Sequence, residues 1–204
     1  MELEEALARV SEIRLQIAQT EPFRGYRSAT AAFSSLIALG TAAVQPMVLP
    51  DPAADPQRYL SMWVAAAIVS VFVTGIEMVV RCRRSASPTA ARLTWLAVEQ
   101  FLPCTIVGAV LTTVVVLFAS ESLWMLPGLW GIVFSLGVFA SSRLMTRPVF
   151  WVAIYYLACG SASLALAQGK WAFTPWAMAI TFGGGQLLAA LVLYLTLERN
   201  HGRP

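Results

Sequence analysis

The sequence predicts an all-α integral membrane protein, a bundle of six transmembrane helices preceded by an amphipathic helix. Three observations predict this class: the composition, six apolar stretches of spanning length, and the placement of the arginines. Hydrophobic residues make up 58% of the chain and charged residues 12%, and the mean hydropathy is +0.68. Soluble domains carry about 25% charged residues. The composition therefore excludes a soluble domain, a disordered chain and a nucleic-acid partner, although the isoelectric point is near 9.0.

The six apolar stretches are each long enough to cross a membrane. A helix needs about 20 apolar residues to span a hydrocarbon core about 30 Å thick. The predicted spans are 28–49, 59–80, 101–119, 123–142, 149–167 and 175–197. Helices satisfy their own backbone hydrogen bonds, as lipid requires. We therefore divide the chain into an N-terminal helix and interfacial collar (1–27), a six-helix domain (28–197) and a C-terminal tail (198–204).

The arginines predict the orientation of the bundle. Basic residues are enriched in the cytoplasmic segments next to span ends. If the N-terminus is cytoplasmic, twelve of the 14 basic residues fall on the cytoplasmic side, and only Arg58 and Lys170 fall on the other. The lipid bilayer is then the first partner of this chain. We expect a multi-pass protein of a bacterial inner membrane, or its equivalent, with both termini in the cytoplasm.

Aromatic residues lie near both predicted membrane surfaces. Those predicted at the outer span ends are Tyr59, Trp63, Trp124, Trp171 and Trp176, and those at the inner ends include Tyr26, Trp95, Trp151 and Tyr194. Amphipathic rings prefer the headgroup region. We interpret both groups as interfacial anchors rather than as a ligand cage.

The first 20 residues predict a cytoplasmic helix with one apolar seam. Leu3, Ala6, Val10, Ile13 and Ile17 recur at spacings of three and four. The other face is acidic, so its attraction to anionic headgroups should be weak. The seam of residues 2–20 can pack on its own bundle, or it can dock a second copy of the chain or a cytoplasmic protein partner.

The connection over 81–97 is the longest predicted cytoplasmic loop. It begins with Arg81, Arg83 and Arg84, which either determine topology or bind anionic headgroups. Ser87 followed by Pro88 predicts a helix start, because proline is tolerated at the first helical position.

Two carboxylates lie near the predicted inner membrane boundary. Ionisable groups inside spans are expensive and mark functional candidates. Glu77 precedes Arg81 by one helical turn and is explained either by an ion pair or by a proton or cation site. Glu99 begins the third span at a similar level, so the two carboxylates could face one another at the cytoplasmic mouth.

The middle of the sixth span contains three consecutive glycines followed by an amide. Gly183, Gly184 and Gly185 precede Gln186. Such a run predicts either close helix packing or a local opening of the backbone that lines a ligand cavity. Gln45, next to Pro46 in the first span, is a further candidate for that cavity. Small faces on the fourth span and around Gly160 predict close helix contacts.

Two functions remain open on the sequence alone. One is a protein that binds or transports a small, weakly polar or hydrophobic solute through a cavity lined by spans 1, 3 and 6. The other is a regulatory or scaffold protein that docks its partner through residues 2–20. We expect no catalytic residues, metal site or cofactor, because the chain has a single histidine and three scattered cysteines.

Overall fold

The computed structural model describes residues 28–84, 88–142 and 147–198, and these residues form helices and no strands. The five regular helices are α1 (Ser28–Val48), α2 (Pro56–Arg84), α3 (Pro88–Phe118), α4 (Leu126–Ser142) and α5 (Val149–Leu166). The sixth, α6 over 175–198, combines α-helical segments (Pro175–Met178, Gly185–Leu193) with π-helical ones (Ala179–Gly184, Tyr194–Glu198). The predicted helix over 2–20 and the tail from 199 onward lie outside the described residues.

The described residues contain six helices that are long and apolar enough to cross a membrane. Their bounds are Ser28–Val48, Pro56–Val80, Val98–Phe118, Ser120–Ser142, Val149–Leu166 and Pro175–Thr196. Each bound lies within three residues of the span predicted from hydropathy. The prediction of an all-helical, multi-pass membrane protein is confirmed at this level.

The helices follow one another around the bundle in chain order. Each packs mainly on the helices before and after it, and α6 returns to pack on α1. The bundle has two ends, which we name after a residue at each. The Ser28 end holds the start of α1, the connection between α2 and α3, and the end of α6. The Gly169 end holds two 3-10 helical turns, Ser120–Met125 and Gly169–Phe173, which contact each other.

The helices α2 and α3 are longer than a membrane requires. They contain 29 and 31 residues, and only residues 85–87 separate them. Residues 81–97 connect the second and third spans as predicted. Most of that connection is helical, and α3 begins at Pro88 as predicted. Hydropathy measures where lipid ends and not where a helix ends. The polar residues on either side of 85–87 include no helix-breaking glycine, and the only proline stands at the first helical position.

Burial is uneven among the spans. Of the 18 most apolar consecutive residues in α2 and in α3, 6% are buried, compared with 28–39% in the other four spans. In a membrane, this difference places α2 and α3 against lipid over most of their surface.

The closest packing in the bundle joins α4 to α5. A Cβ atom added to Gly160 would lie 2.7 Å from the carbonyl oxygen of Gly128 and 2.8 Å from the backbone nitrogen of Ile132. Gly131 and Ser135 are buried on the same face of α4. Because two backbones can approach this closely only where side chains are small, these residues form the predicted helix-contact face.

Candidate functional site

The residues predicted to form one site lie at three different levels of the bundle. Gln45 lies at the Gly169 end, Gly183–Gly185 with the half-buried Gln186 lie in the middle of α6, and Glu77 lies near the Ser28 end. Each level has its own hydrogen bonds to neighbouring elements.

At the Gly169 end, a buried amide links three elements. The Gln45 Nε2 atom donates to the carbonyl oxygen of Phe173 at 2.8 Å, and its Oε1 atom accepts from Trp63 Nε1 at 3.2 Å. The ring of Tyr59 lies edge-on to that of Phe173, with centroids 5.1 Å apart, and 6.4 Å from that of Trp63. We call Gln45, Tyr59, Trp63 and Phe173 the Gln45 cluster.

Local structure explains how these four side chains meet. Tyr59 and Trp63 are four residues apart on α2 and so share one helix face. Gln45 lies in the last turn of α1, which continues through Pro46 to Val48 without a break. Phe173 ends a short turn that follows Gly169, whose φ of 60° is a conformation that glycine adopts without strain.

One hydroxyl of the Gln45 cluster has no hydrogen-bond partner in the part of the chain that the structure describes. Tyr59 is 0% exposed, and its hydroxyl makes no hydrogen bond with any described residue. Gln45 is 1% exposed and uses only one of its two amide hydrogens. The surrounding side chains are apolar and include Leu60, Leu123, Leu126 and Met178. A buried group left without a hydrogen bond costs about 1–3 kcal/mol, so this arrangement requires an explanation beyond stability.

The prediction that Tyr59 and Trp63 are interfacial anchors is wrong. Both side chains are buried inside the bundle, Trp63 with 3% exposure, whereas Trp171 and Trp176 are more than 60% exposed, as anchors should be. The four-residue spacing of Tyr59 and Trp63, at the same predicted level as Gln45, was the signal that could have identified the cluster.

In the middle of α6, the three glycines lie against three different side chains. A Cβ atom on Gly183 would meet Leu39 of α1, and one on Gly184 or Gly185 would meet Tyr155 or Tyr156 of α5. The glycines therefore let α6 pass closely between its two neighbours. This geometry is the close-packing alternative drawn from the sequence, and the same residues lie in or next to a π-helical turn.

Side-chain hydroxyls bind backbone carbonyls of that turn. Ser35 of α1 donates to the carbonyl oxygen of Gly183 at 2.7 Å, and Tyr155 of α5 donates to that of Ile180 at 2.7 Å. A π-helical turn disturbs the regular pattern of helical bonds, and groups on neighbouring helices satisfy the carbonyls it frees.

Near the Ser28 end, the two predicted carboxylates differ in environment. Glu77 of α2 is half-buried and accepts a hydrogen bond from the hydroxyl of Thr30 on α1. Glu99 is exposed, while the Oε1 atom of the adjacent Gln100 is buried without a hydrogen-bond partner among the described residues. The predicted site residue Glu99 is thus the exposed one of this pair, and the buried polar atom belongs to its neighbour Gln100.

The fold and these polar contacts define the chain as an all-helical, multi-pass membrane protein with buried hydrogen-bonding groups inside its bundle. Comparison with known proteins places it no further: no protein-family model, curated protein or solved structure matches the chain.

Proposed function

We propose that this protein binds a small, weakly polar or hydrophobic solute within the membrane, at the Gln45 cluster. The observation that carries the proposal is the fully buried Tyr59 hydroxyl, which has no hydrogen-bond partner among the described residues, in the same cluster as an amide with an unused hydrogen. Small-molecule sites are mostly apolar, with a few polar groups placed to orient the ligand. The Gln45 cluster has this composition.

The cost of the unpartnered hydroxyl supports a functional role. Natural proteins break a local rule of stability mainly at functional sites. Phenylalanine in place of Tyr59 would keep the ring contacts and remove the cost. A solute that forms the missing bond would recover that free energy on binding.

The proposed site lies between other helices than the cavity predicted from the sequence. That prediction used spans 1, 3 and 6, but the main neighbours of α3 are α2 and α4. The cluster joins α1, α2 and the turn Gly169–Phe173 instead. With the orientation that the arginines predict, the solute would enter from the non-cytoplasmic side.

Transport of the solute is a second proposal, favoured by the buried face of α1. That face carries only small or polar side chains, namely Thr30, Ala31, Ser34, Ser35, Ala38, Ala42 and Gln45. It runs from the Thr30–Glu77 contact at one end of the bundle to the Gln45 cluster at the other. A weakly polar solute could follow this face between the two membrane surfaces.

Thermal unfolding of the purified full chain in detergent tests binding. The probes are three neutral aromatic solutes: indole, 2-naphthol and 2-acetylnaphthalene. We expect at least one to raise the Tm of the wild-type protein and to lose that effect in Gln45→Leu. Gln57→Leu, which changes an exposed glutamine two residues before Tyr59, is the matched control.

A second variant protects the test against misfolding. Trp63→Phe keeps an aromatic ring and removes the N–H group that donates a hydrogen bond to Gln45. If the probes shift the Tm of wild type, Gln45→Leu and Trp63→Phe equally, or shift none of them, the proposed function is wrong.

A further inference from the structure

The hydrogen-bonding groups of the Gln45 cluster specify the chemistry of the solute. Two hydrogen bonds inside the cluster are already made, from Gln45 Nε2 to Phe173 and from Trp63 Nε1 to Gln45 Oε1. These use the Trp63 N–H, one Gln45 N–H and the Phe173 carbonyl. The donors that remain are the Tyr59 hydroxyl and the second Gln45 N–H.

An unused donor is harder to tolerate in a buried site than an unused lone pair. Buried carbonyl oxygens often make one bond where two are geometrically allowed, whereas orphaned N–H groups are rare. The cluster therefore lacks a hydrogen-bond acceptor. A carbonyl oxygen is such an acceptor and, unlike a hydroxyl, brings no further donor into the site.

The walls of the cluster favour a flat and uncharged molecule. The ring of Tyr59 is tilted to that of Trp63 and edge-on to that of Phe173, so an aromatic ring in the place of Phe173 would meet Tyr59 in a favourable geometry. The cluster contains no charged side chain. Burying an unpaired ion there would carry a large desolvation cost.

From these observations we infer that the solute is a neutral, flat, apolar molecule with a carbonyl oxygen, which accepts a hydrogen bond from the Tyr59 hydroxyl. This inference rests on the proposed function and narrows it to a class of ligand. In this proposal the solute takes the place of the Phe173 ring beside Tyr59, and the Phe173 carbonyl keeps its hydrogen bond from Gln45.

A series of three naphthalenes of similar shape tests the inference. The probes are a ketone (2-acetylnaphthalene), an alcohol (1-(2-naphthyl)ethanol) and a hydrocarbon (2-ethylnaphthalene). Each Kd is expressed in terms of the probe concentration in the detergent phase, so that differences in partitioning between water and detergent do not affect the comparison. For the wild-type protein we expect the ketone to bind most tightly, about tenfold more tightly than the hydrocarbon. In Tyr59→Phe we expect the ketone to lose most of this advantage, while the hydrocarbon binds as before.

Tyr194→Phe is the matched control, because it removes an exposed hydroxyl on α6 far along the chain from the cluster. It should leave all three constants unchanged. If the hydrocarbon binds as tightly as the ketone, and both are weakened by Gln45→Leu, the carbonyl inference is wrong while the proposed function stands. If no compound binds the wild type more tightly than Gln45→Leu, both fail. If Tyr59→Phe leaves the preference for the ketone intact, the role of the hydroxyl is disproved.

Discussion

The Tyr59 hydroxyl is a polar group that the fold buries and leaves without a partner among the described residues. Such a group lowers the stability of the ligand-free protein, because it loses its bond to water on folding and gains none in return. Its neighbour Gln45, equally buried, is held by two hydrogen bonds. Side chains with the same burial thus affect stability in opposite directions.

Substitution of Tyr59 by phenylalanine should therefore stabilise the ligand-free protein. We expect Tyr59→Phe to raise the free energy of unfolding by about 1 kcal/mol, measured as an increase in Tm in detergent. Tyr194→Phe should leave the Tm unchanged. A lower Tm for Tyr59→Phe would mean that the hydroxyl already has a partner, such as a bound water molecule, and would contradict this account.

Ser35 gives the converse prediction. Its hydroxyl is buried between α1 and α6 and donates to the carbonyl oxygen of Gly183. Ser35→Ala should lower the stability by about 1 kcal/mol, because the carbonyl then has no side-chain donor.

The matched control is Ser61→Ala. The Ser61 hydroxyl binds the carbonyl oxygen of Arg58 within its own helix and is exposed, so its removal should change the Tm little. Equal effects of the two substitutions would show that the contact between α1 and α6 does not depend on Ser35.

At the scale of helices, the contact between α4 and α5 depends on the absence of a side chain at Gly160. A methyl group there would meet two backbone atoms closer than van der Waals contact, and backbone atoms cannot move aside as a flexible side chain can. We expect Gly160→Ala to destabilise the protein by about 1–3 kcal/mol, measured by thermal unfolding in detergent.

Gly75 provides the control for that substitution. It lies in α2, and a Cβ atom there would meet nothing within 4 Å. Gly75→Ala should be neutral or stabilising by up to about 1 kcal/mol, since alanine is the better helix former. A destabilising Gly75→Ala together with a neutral Gly160→Ala would contradict the packing described above.

The π-helical turn of α6 was only partly foreseeable. Three successive glycines predict a special backbone, but the sequence left open whether it serves packing or a cavity. The outcome depends on Leu39, Tyr155 and Tyr156, which come from α1 and α5 and fill the space beside the glycines. No local pattern around Gly183 specifies which neighbours will lie there.

For the whole molecule, the distribution of arginines predicts that both ends of the chain face the cytoplasm. In sealed right-side-out vesicles, a membrane-impermeant maleimide should then react with Lys170→Cys at the Gly169 end and not with Arg83→Cys at the end of α2. Both positions are exposed. The experiment uses a chain whose three native cysteines are replaced by alanine.

Permeabilised vesicles supply the control, because both cysteines should react there. Reaction of Arg83→Cys alone in sealed vesicles would show that the orientation is the reverse of the predicted one. In that orientation, the proposed solute site would lie at the cytoplasmic surface.

The sequence by itself determined the class of this protein, the number of its spans and their limits to within three residues. These properties follow from a large physical difference, the cost of placing polar residues or unsatisfied backbone groups in hydrocarbon. The same difference identified Gln45 and Glu77 as unusual, because an amide or a carboxylate inside a span is expensive wherever it faces.

Only the tertiary structure decided which faces of the helices meet. Lipid and the interior of a helix bundle are both apolar, so hydropathy scarcely distinguishes a face that packs on protein from one that packs on lipid. Tyr59 and Trp63 were therefore expected at the surface and lie buried beside Gln45, while Glu99 lies exposed and Gln100 carries the buried oxygen. The choice between such neighbours depends on contacts with residues distant in the chain, and those contacts exist only once all six helices are assembled.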